Sequence, residues 1–140
     1  MATTNVVNST LMGVFILDST YKRINHATDG SMSFSHEPRD ITSKDSSGHR
    51  ALLEGLRSWT MSMSGNFAYD ATYGPEQLRA AWLARTALTA RWGTGVSADQ
   101  YVSGTVYISS YEESSPDKEN NVTFSITLEG SGAPTFADLT

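Results

Sequence analysis

The sequence predicts a mainly β chain of the α+β class: two packed antiparallel sheets, sandwich- or barrel-like, with one flanking α-helix. Three observations lead there. Two segments alternate apolar and hydroxyl-bearing residues with period two, one Ala-, Leu- and Arg-rich stretch follows a helix start signal, and turn residues punctuate short apolar runs near the N-terminus. The 140 residues fall in the size range of one domain, so 1–140 is expected to form a single unit, with flexible segments at about 1–10 and 133–140.

Leu11 to Leu17, Tyr21 to Asn25 and Ser31 to His36 read as short strands, with Asp18-Ser19-Thr20 and Ala27 to Gly30 as the turns between them. Glu37 to Gly48 reads as a long polar loop, carrying Arg39, Asp40, Lys44 and Asp45 among serines and threonines. From Arg57 to Phe67, Trp59, Met61, Met63, Gly65 and Phe67 alternate with Ser58, Thr60, Ser62, Ser64 and Asn66, the signature of a strand with one buried and one hydroxyl-rich face. Gly74-Pro75-Glu76 then sets proline at a first helical position and an acid near the positive end of the macrodipole. Leu78, Ala81, Trp82, Arg85 and Leu88 recur at three-to-four spacing, which carries the helix to about Ala90, with Gly93 ending the run.

Tyr101 to Tyr111 is a further strand, with Tyr101, Tyr107 and Tyr111 on one side and Val102, Val106 and Ile108 on the other. Neither face is charged, so both are expected to be covered. Glu112 to Asn121 (EESSPDKENN) reads as a solvated acidic turn, and Val122, Phe124, Ile126 and Leu128 against Thr123, Ser125, Thr127 and Glu129 as another strand. No internal repeat is visible.

Composition narrows function by exclusion. Without cysteine there is no disulfide scaffold, thiolate zinc site, iron–sulfur cluster or cysteine nucleophile. The longest apolar run, Leu11 to Leu17, is far shorter than the ~20 residues that span a bilayer, so no membrane role is expected. Residues 1–99 are neutral, and the whole net charge of −5 belongs to the stretch from Gln100 onward, where Lys118 alone opposes Glu112, Glu113, Asp117, Glu119, Glu129 and Asp138. Tight binding of free duplex DNA needs clustered cations and is disfavoured.

Chemistry is equally thin. His26, His36 and His49 share no element, so neither a metal nor a cofactor is expected. Gly93-Thr94-Gly95-Val96-Ser97 is neither a phosphate loop nor a nucleophile elbow. Strand interiors carry almost no paired carboxylates of the kind glycosidases use, and with 19 serines no Ser–His–Asp order is informative. Tyr21-Lys22-Arg23 and Arg91-Trp92 are the only aromatic–basic pairs, too few for a single-strand groove. Asn8-Ser9-Thr10 and Asn121-Val122-Thr123 match the glycosylation pattern without a secretion signal to give it meaning. What remains is surface character: hydroxyl- and Tyr-rich strand faces of low charge invite pairing with other chains, and the mixed-charge loop suits head-to-tail contact between identical subunits.

Arg39-Asp40-Ile41-Thr42-Ser43-Lys44-Asp45-Ser46-Ser47-Gly48, then Glu54-Gly55-Leu56-Arg57-Ser58-Trp59 leading into Gly65, then Val122-Thr123-Phe124-Ser125 and Gly130-Ser131-Gly132, resemble the major tail tube proteins of long, non-contractile-tailed bacteriophages. The similarity runs from about Gly13 to Gly132, departing where His49 stands in place of the aromatic that often follows the loop glycine. The resemblance implies a non-enzymatic structural subunit of the virion tail, assembled in the bacterial host cytoplasm, whose hexameric rings stack into a tube that conducts viral DNA without specific binding. It implies as partners the chain itself and tail tip, tail terminator and tape-measure proteins. It also implies that Ile41, Thr42, Ser43, Lys44, Asp45, Ser46, Ser47 and Gly48 reach the next ring, with Lys44 and Asp45 as charge-complementary contacts. The subunit core is expected to hold Trp59, Met61, Met63, Phe67, Phe124 and Ile126. The alternative is a β-sandwich binding module of a secreted or surface protein, with a small β-barrel hydrolase a distant third.

Overall fold

A computed structural model of the chain describes residues 4–8, 10–18, 20–24, 26–69 and 73–140. Asn25 and Ser19, expected in the second strand and the turn before it, lie outside the described residues, as do residues 1–3 and 9 of the N-terminal segment. In chain order the elements are β1 (Gly13–Asp18), β2 (Thr20–Arg23), β3 (Ala27–His36), β4 (Arg39–Asp40), β5 (Leu52–Leu53), β6 (Arg57–Asn66), α1 (Pro75–Ala84), β7 (Leu88–Gly93), β8 (Gln100–Ser114) and β9 (Thr123–Asp138). Seven strands form one antiparallel sheet ordered β2-β1-β7-β8-β9-β6-β3, and β4 pairs with β5 in a separate hairpin. The two layers expected from the sequence are two halves of this sheet, through both of which the long β8 and β9 run.

Glycine and tryptophan explain where the halves part. β6 pairs with β9 as far as Thr60 opposite Glu129. One residue further on, the Trp59 indole occupies the space that side chains at Gly130 and Gly104 would need: a Cβ at Gly130 would lie 2.0 Å from Trp59 Cε2, and one at Gly104 2.6 Å from Cζ2. Trp59 Nε1–H donates to Gly132 O at 2.9 Å, so the buried indole has no unpaired polar atom. Opposite Gly104 the β8–β9 register jumps from Ser103↔Thr135 to Thr105↔Ser131, leaving Gly132, Ala133 and Pro134 as a bulge that turns β9 away from β6. Gly132 takes φ +77, and Pro134, which has no N–H, sits on a stretch of β9 unpaired on its β6 side.

The sheet closes on its apolar face. Val14, Ile16, Ala90 and Val106 from one half meet Met61, Met63, Phe124, Ile126 and Leu128 from the other, with Trp92 of β7 against Gly30 of β3. α1 lies over β8 on the same side and contributes buried Leu78. Its Arg79 bonds Glu113 at 3.1 Å and stands over the Phe67 ring.

Several boundaries differ from the sequence reading. α1 ends at Ala84, not near Ala90: Arg85 turns left-handed (φ 56), and the Arg85 and Thr86 N–H groups cap the Trp82 and Ala81 carbonyls. Leu88–Gly93 is then a strand, because sheet partners on both sides, β1 and β8, outweigh the weak helix preference of Thr86 and Thr89. Ala27 to Gly30 extends β3 instead of turning, accommodated by a bulge at Thr28. Residues 133–138, expected to be flexible, finish β9. A third bulge, at Ser109, moves Tyr111 onto the apolar face, where it stacks on Phe124. Tyr107 stays on the opposite face, 47% exposed instead of covered.

Candidate functional site

Antiparallel register gathers the even-numbered residues of β6 and their neighbours onto one face of a four-stranded section made of β3, β6, the first half of β9 and the second half of β8. Ser31, Ser33 and Ser35 stand opposite Ser62, Thr60 and Ser58, and each pair is hydrogen-bonded hydroxyl to hydroxyl, at 2.7, 2.8 and 2.7 Å. The next strands continue the pattern with Thr123, Ser125 and Thr127, then Ser114 and Ser110. In each serine–threonine rung one hydroxyl donates to the other, which leaves at most one free O–H per pair.

Three acids punctuate this face. Asp29 lies opposite Ser64, Glu112 opposite Ser125, and Glu129 between Thr60 and Tyr107. No lysine, arginine or histidine of these four strand segments shares it, since Arg57 pairs with His36 on the apolar side of β6. Adjacent Glu113 points the other way, where it accepts the Tyr111 hydroxyl at 2.8 Å and meets Arg79; burial first, and then this bond, push the Tyr111 phenol well above its ordinary pKa. The sequence offered a signal for Glu129, which alternates with Phe124, Ile126 and Leu128. It offered none for Asp29, hidden in an expected turn, nor for choosing between Glu112 and Glu113.

Both edges of the four-stranded section are open. Among the described residues β3 has β6 on one side and no strand on the other, and β8 loses its β7 partner beyond Val106, so Tyr107 to Ser114 is unpaired on that side. Such edges are templates for another chain.

Below β3 and β6 the chain extends as the β4–β5 hairpin, whose tip carries Ile41 to Gly48. Short-range bonds organise it: Asp40 Oδ1 accepts from Thr42 N–H at 2.8 Å, Thr42 Oγ1 accepts from Ala51 N–H at 2.8 Å, and a 3₁₀ turn over Lys44–Ser46 is capped when Ser46 Oγ accepts from Ser43 N–H. The Thr42 bonds hold the Asp40 carboxyl below its usual pKa of 3.8. Ser47 and Gly48 close the tip with positive φ, 53 and 79. His36 Nε2, at the root, accepts from Gly55 N–H at 3.0 Å. Lys44 and Asp45 are exposed.

Of the residues expected in the core, Trp59, Met61, Met63, Phe124 and Ile126 are buried, whereas Phe67 is half-buried at the rim between Tyr69 and Arg79. The two aromatic–basic pairs converge in part on the outer half of the sheet. There the Arg91 guanidinium is clamped between Tyr21 and Tyr101, 3.7 and 3.9 Å from the ring centroids, leaving no open aromatic platform.

Residues 8–136 match the family model described as phage tail tube protein. Among solved structures, the chain superposes on the tail of an empty gene transfer agent particle refined with C6 symmetry, with a TM-score of 0.82 at 20% identity over 94% of this chain and 99% of that one. It is also similar to the SPP1 tail tube, with a TM-score of 0.72 at 15% identity over 91% and 76% of the two chains. A chain of the anti-feeding prophage baseplate gives 0.68 at 8% identity over 100% and 99%. No curated protein matches the sequence.

Proposed function

This chain belongs to the phage tail tube protein family and is a structural subunit of a tail tube, and we propose that six copies close into a ring by pairing β3 of one copy with the free Tyr107–Ser114 edge of β8 in the next. The observation that carries the reading is the coincidence of two open edges on one four-stranded section, because closure is the one arrangement that leaves no edge unpaired. The number six follows the C6 symmetry of the gene transfer agent tail.

Six sections of four strands make a barrel whose backbones stand about 45–50 Å apart, given a strand spacing of about 4.8 Å and a tilt of about 40°. Side chains reaching about 5 Å from each wall leave roughly 35–40 Å clear, enough for a DNA duplex. The hydroxyl face lines this lumen. Asp29, Glu112 and Glu129 repel phosphates, no cation on the face holds them, and the paired serines have few donors left to offer, so DNA passes without specific binding. The hairpin tip, Ile41 to Gly48, reaches the adjacent ring, with Lys44 and Asp45 in complementary contact. Tail tip, terminator and tape-measure proteins meet the ends and interior of the tube, which assembles in the host cytoplasm. The family leaves no support for the binding-module alternative.

Electron microscopy of the purified, concentrated protein tests this directly. Sixfold rings or tubes with a lumen near the size above are the expected result; a monomer that forms neither at high concentration overturns it.

A further inference from the structure

We propose that Trp82 and Leu83, at the end of α1, dock into an apolar cleft formed by Phe34, Leu56, Pro134 and Phe136 of the neighbouring copy, on the outer side of the ring. The inference rests on the ring described above and adds to it a side-chain contact that holds neighbouring subunits in one register.

The cleft opens where β9 leaves β6 and encloses about 640 Å³. Phe34 and Phe136 lean together across it, ring centroids 5.9 Å apart, yet each remains 54% exposed, and Leu56 is 81% exposed. At the other side of the four-stranded section, Trp82 (55% exposed) and Leu83 (77%) border a smaller hollow with Tyr107 and Ile108. Isolated apolar side chains on a surface need no explanation, but two groups of large ones at the two open edges of one four-stranded section mark an interface.

Both patches lie on the same side of the sheet. Phe34 stands opposite Trp59 and shares its face, and α1 covers that face through Leu78. Within one chain they are separated by the width of β3, β6, β9 and β8, three strand spacings or about 14 Å, so neither covers the other. Edge pairing removes the separation, because β3 of one copy then adjoins β8 of the next.

Barrel geometry decides which residues meet. Within a subunit Met32 is level with Met61, Leu128 and Ile108. Closing four tilted strands per subunit requires a stagger of about four to five residues between β3 and the neighbouring β8, and matching apolar to apolar face selects the even value, four. One direction of stagger would push β3 toward the part of β8 that β7 already occupies; the other sets Ser31–His36 along the free edge, from near Ser114 down to near Ile108. In that register the lower end of β3, with Leu56 beyond it, comes level with Tyr107 and Ile108, where Trp82 and Leu83 project.

The chain has no cysteine, which makes cross-linking clean. Oxidation of assembled Leu56→Cys/Leu83→Cys protein is expected to give a reducible ladder of covalent species ending at the ring, and a short bismaleimide in parallel the same ladder resistant to reductant, with no ladder from either single variant. Intact tubes that yield no ladder overturn the docking while leaving the ring reading standing; a wild-type protein that forms no rings overturns both. As a second arm, Trp82→Ala/Leu83→Ser is expected to raise the concentration needed for assembly at least about tenfold with the monomer's melting unchanged. Unchanged assembly, or a monomer that melts much earlier, assigns these side chains to the subunit alone.

Discussion

Along β6, neighbouring residues live in different media. Trp59, Met61 and Met63 are 4%, 0% and 4% exposed, in one core with residues of β9, β1 and α1, whereas Thr60, Ser62 and Ser64, which alternate with them, look outward onto a face of hydroxyls and acids. The first row holds the subunit together through area removed from water. The second row adds only hydroxyl–hydroxyl bonds across the β3–β6 ladder and presents an uncharged-to-acidic surface. One strand thus separates a buried core row from an exposed polar row by parity alone.

Trp59→Ala is the strongest way to break that separation. It empties the wedge at which β9 leaves β6 and orphans Gly132 O, and about 3–5 kcal/mol of stability should vanish in denaturant melts of the monomer. Glu129→Lys, on the other row, should leave the melt within about 0.5 kcal/mol of wild type. Assembled Glu129→Lys tubes should nevertheless retain duplex DNA in a filter assay at low salt and release it as salt rises, whereas Thr89→Lys, on the outer half of the sheet, should not. Retention by both variants, or by neither, would detach the hydroxyl face from the lumen.

A smaller effect is expected at the hairpin. Lys44→Glu should shorten tubes with no change in monomer melting, and the exchange Lys44→Asp with Asp45→Lys should restore part of their length. Equal loss of monomer stability would make the loop structural only. Smaller still, Ser33→Ala should cost about 0.5–1.5 kcal/mol by leaving Thr60 without its partner, while Ser33→Ala with Thr60→Val should cost less than the sum of the single changes.

Acid should act on the hairpin tip and spare the sheet. Thr42 holds the Asp40 carboxyl below its ordinary value, so the bond to Thr42 N–H is fully present above about pH 3.8 and is lost as pH falls through the lower folded value. Amide exchange at Thr42 should quicken over that range while exchange at Met61 does not.

Much of this arrangement was legible in the chain, for definite reasons. The alternation in β6 and in the first half of β9 follows from the two-residue repeat of an extended backbone, and Trp59, Met61, Met63, Phe124 and Ile126 could be assigned to one face without knowing any partner. Gly74-Pro75 announced the start of α1 because proline's missing N–H is harmless there. Phe67 continued the β6 pattern past the point where pairing ends, and so lies at the rim. The hairpin tip could be read from the sequence as an exposed polar loop; its internal bonds, from Asp40 to Ala51, could not.

The remainder depended on pairings between residues far apart in the chain. Whether Leu88 to Gly93 is the last turn of a helix or a strand is nearly balanced locally, and β1 and β8 tip the balance by bonding it on both sides. A single extra residue at Ser109 reverses every side chain beyond it, which carries Tyr111 and Glu113 to the core side and leaves Glu112 on the hydroxyl face. Sequence alone determined which residues share a face within a strand, because that depends on the geometry of one backbone; only the tertiary structure decided which strands lie side by side, which acids gather on one wall and which edges stay open, because those depend on register between segments that meet only when the chain folds.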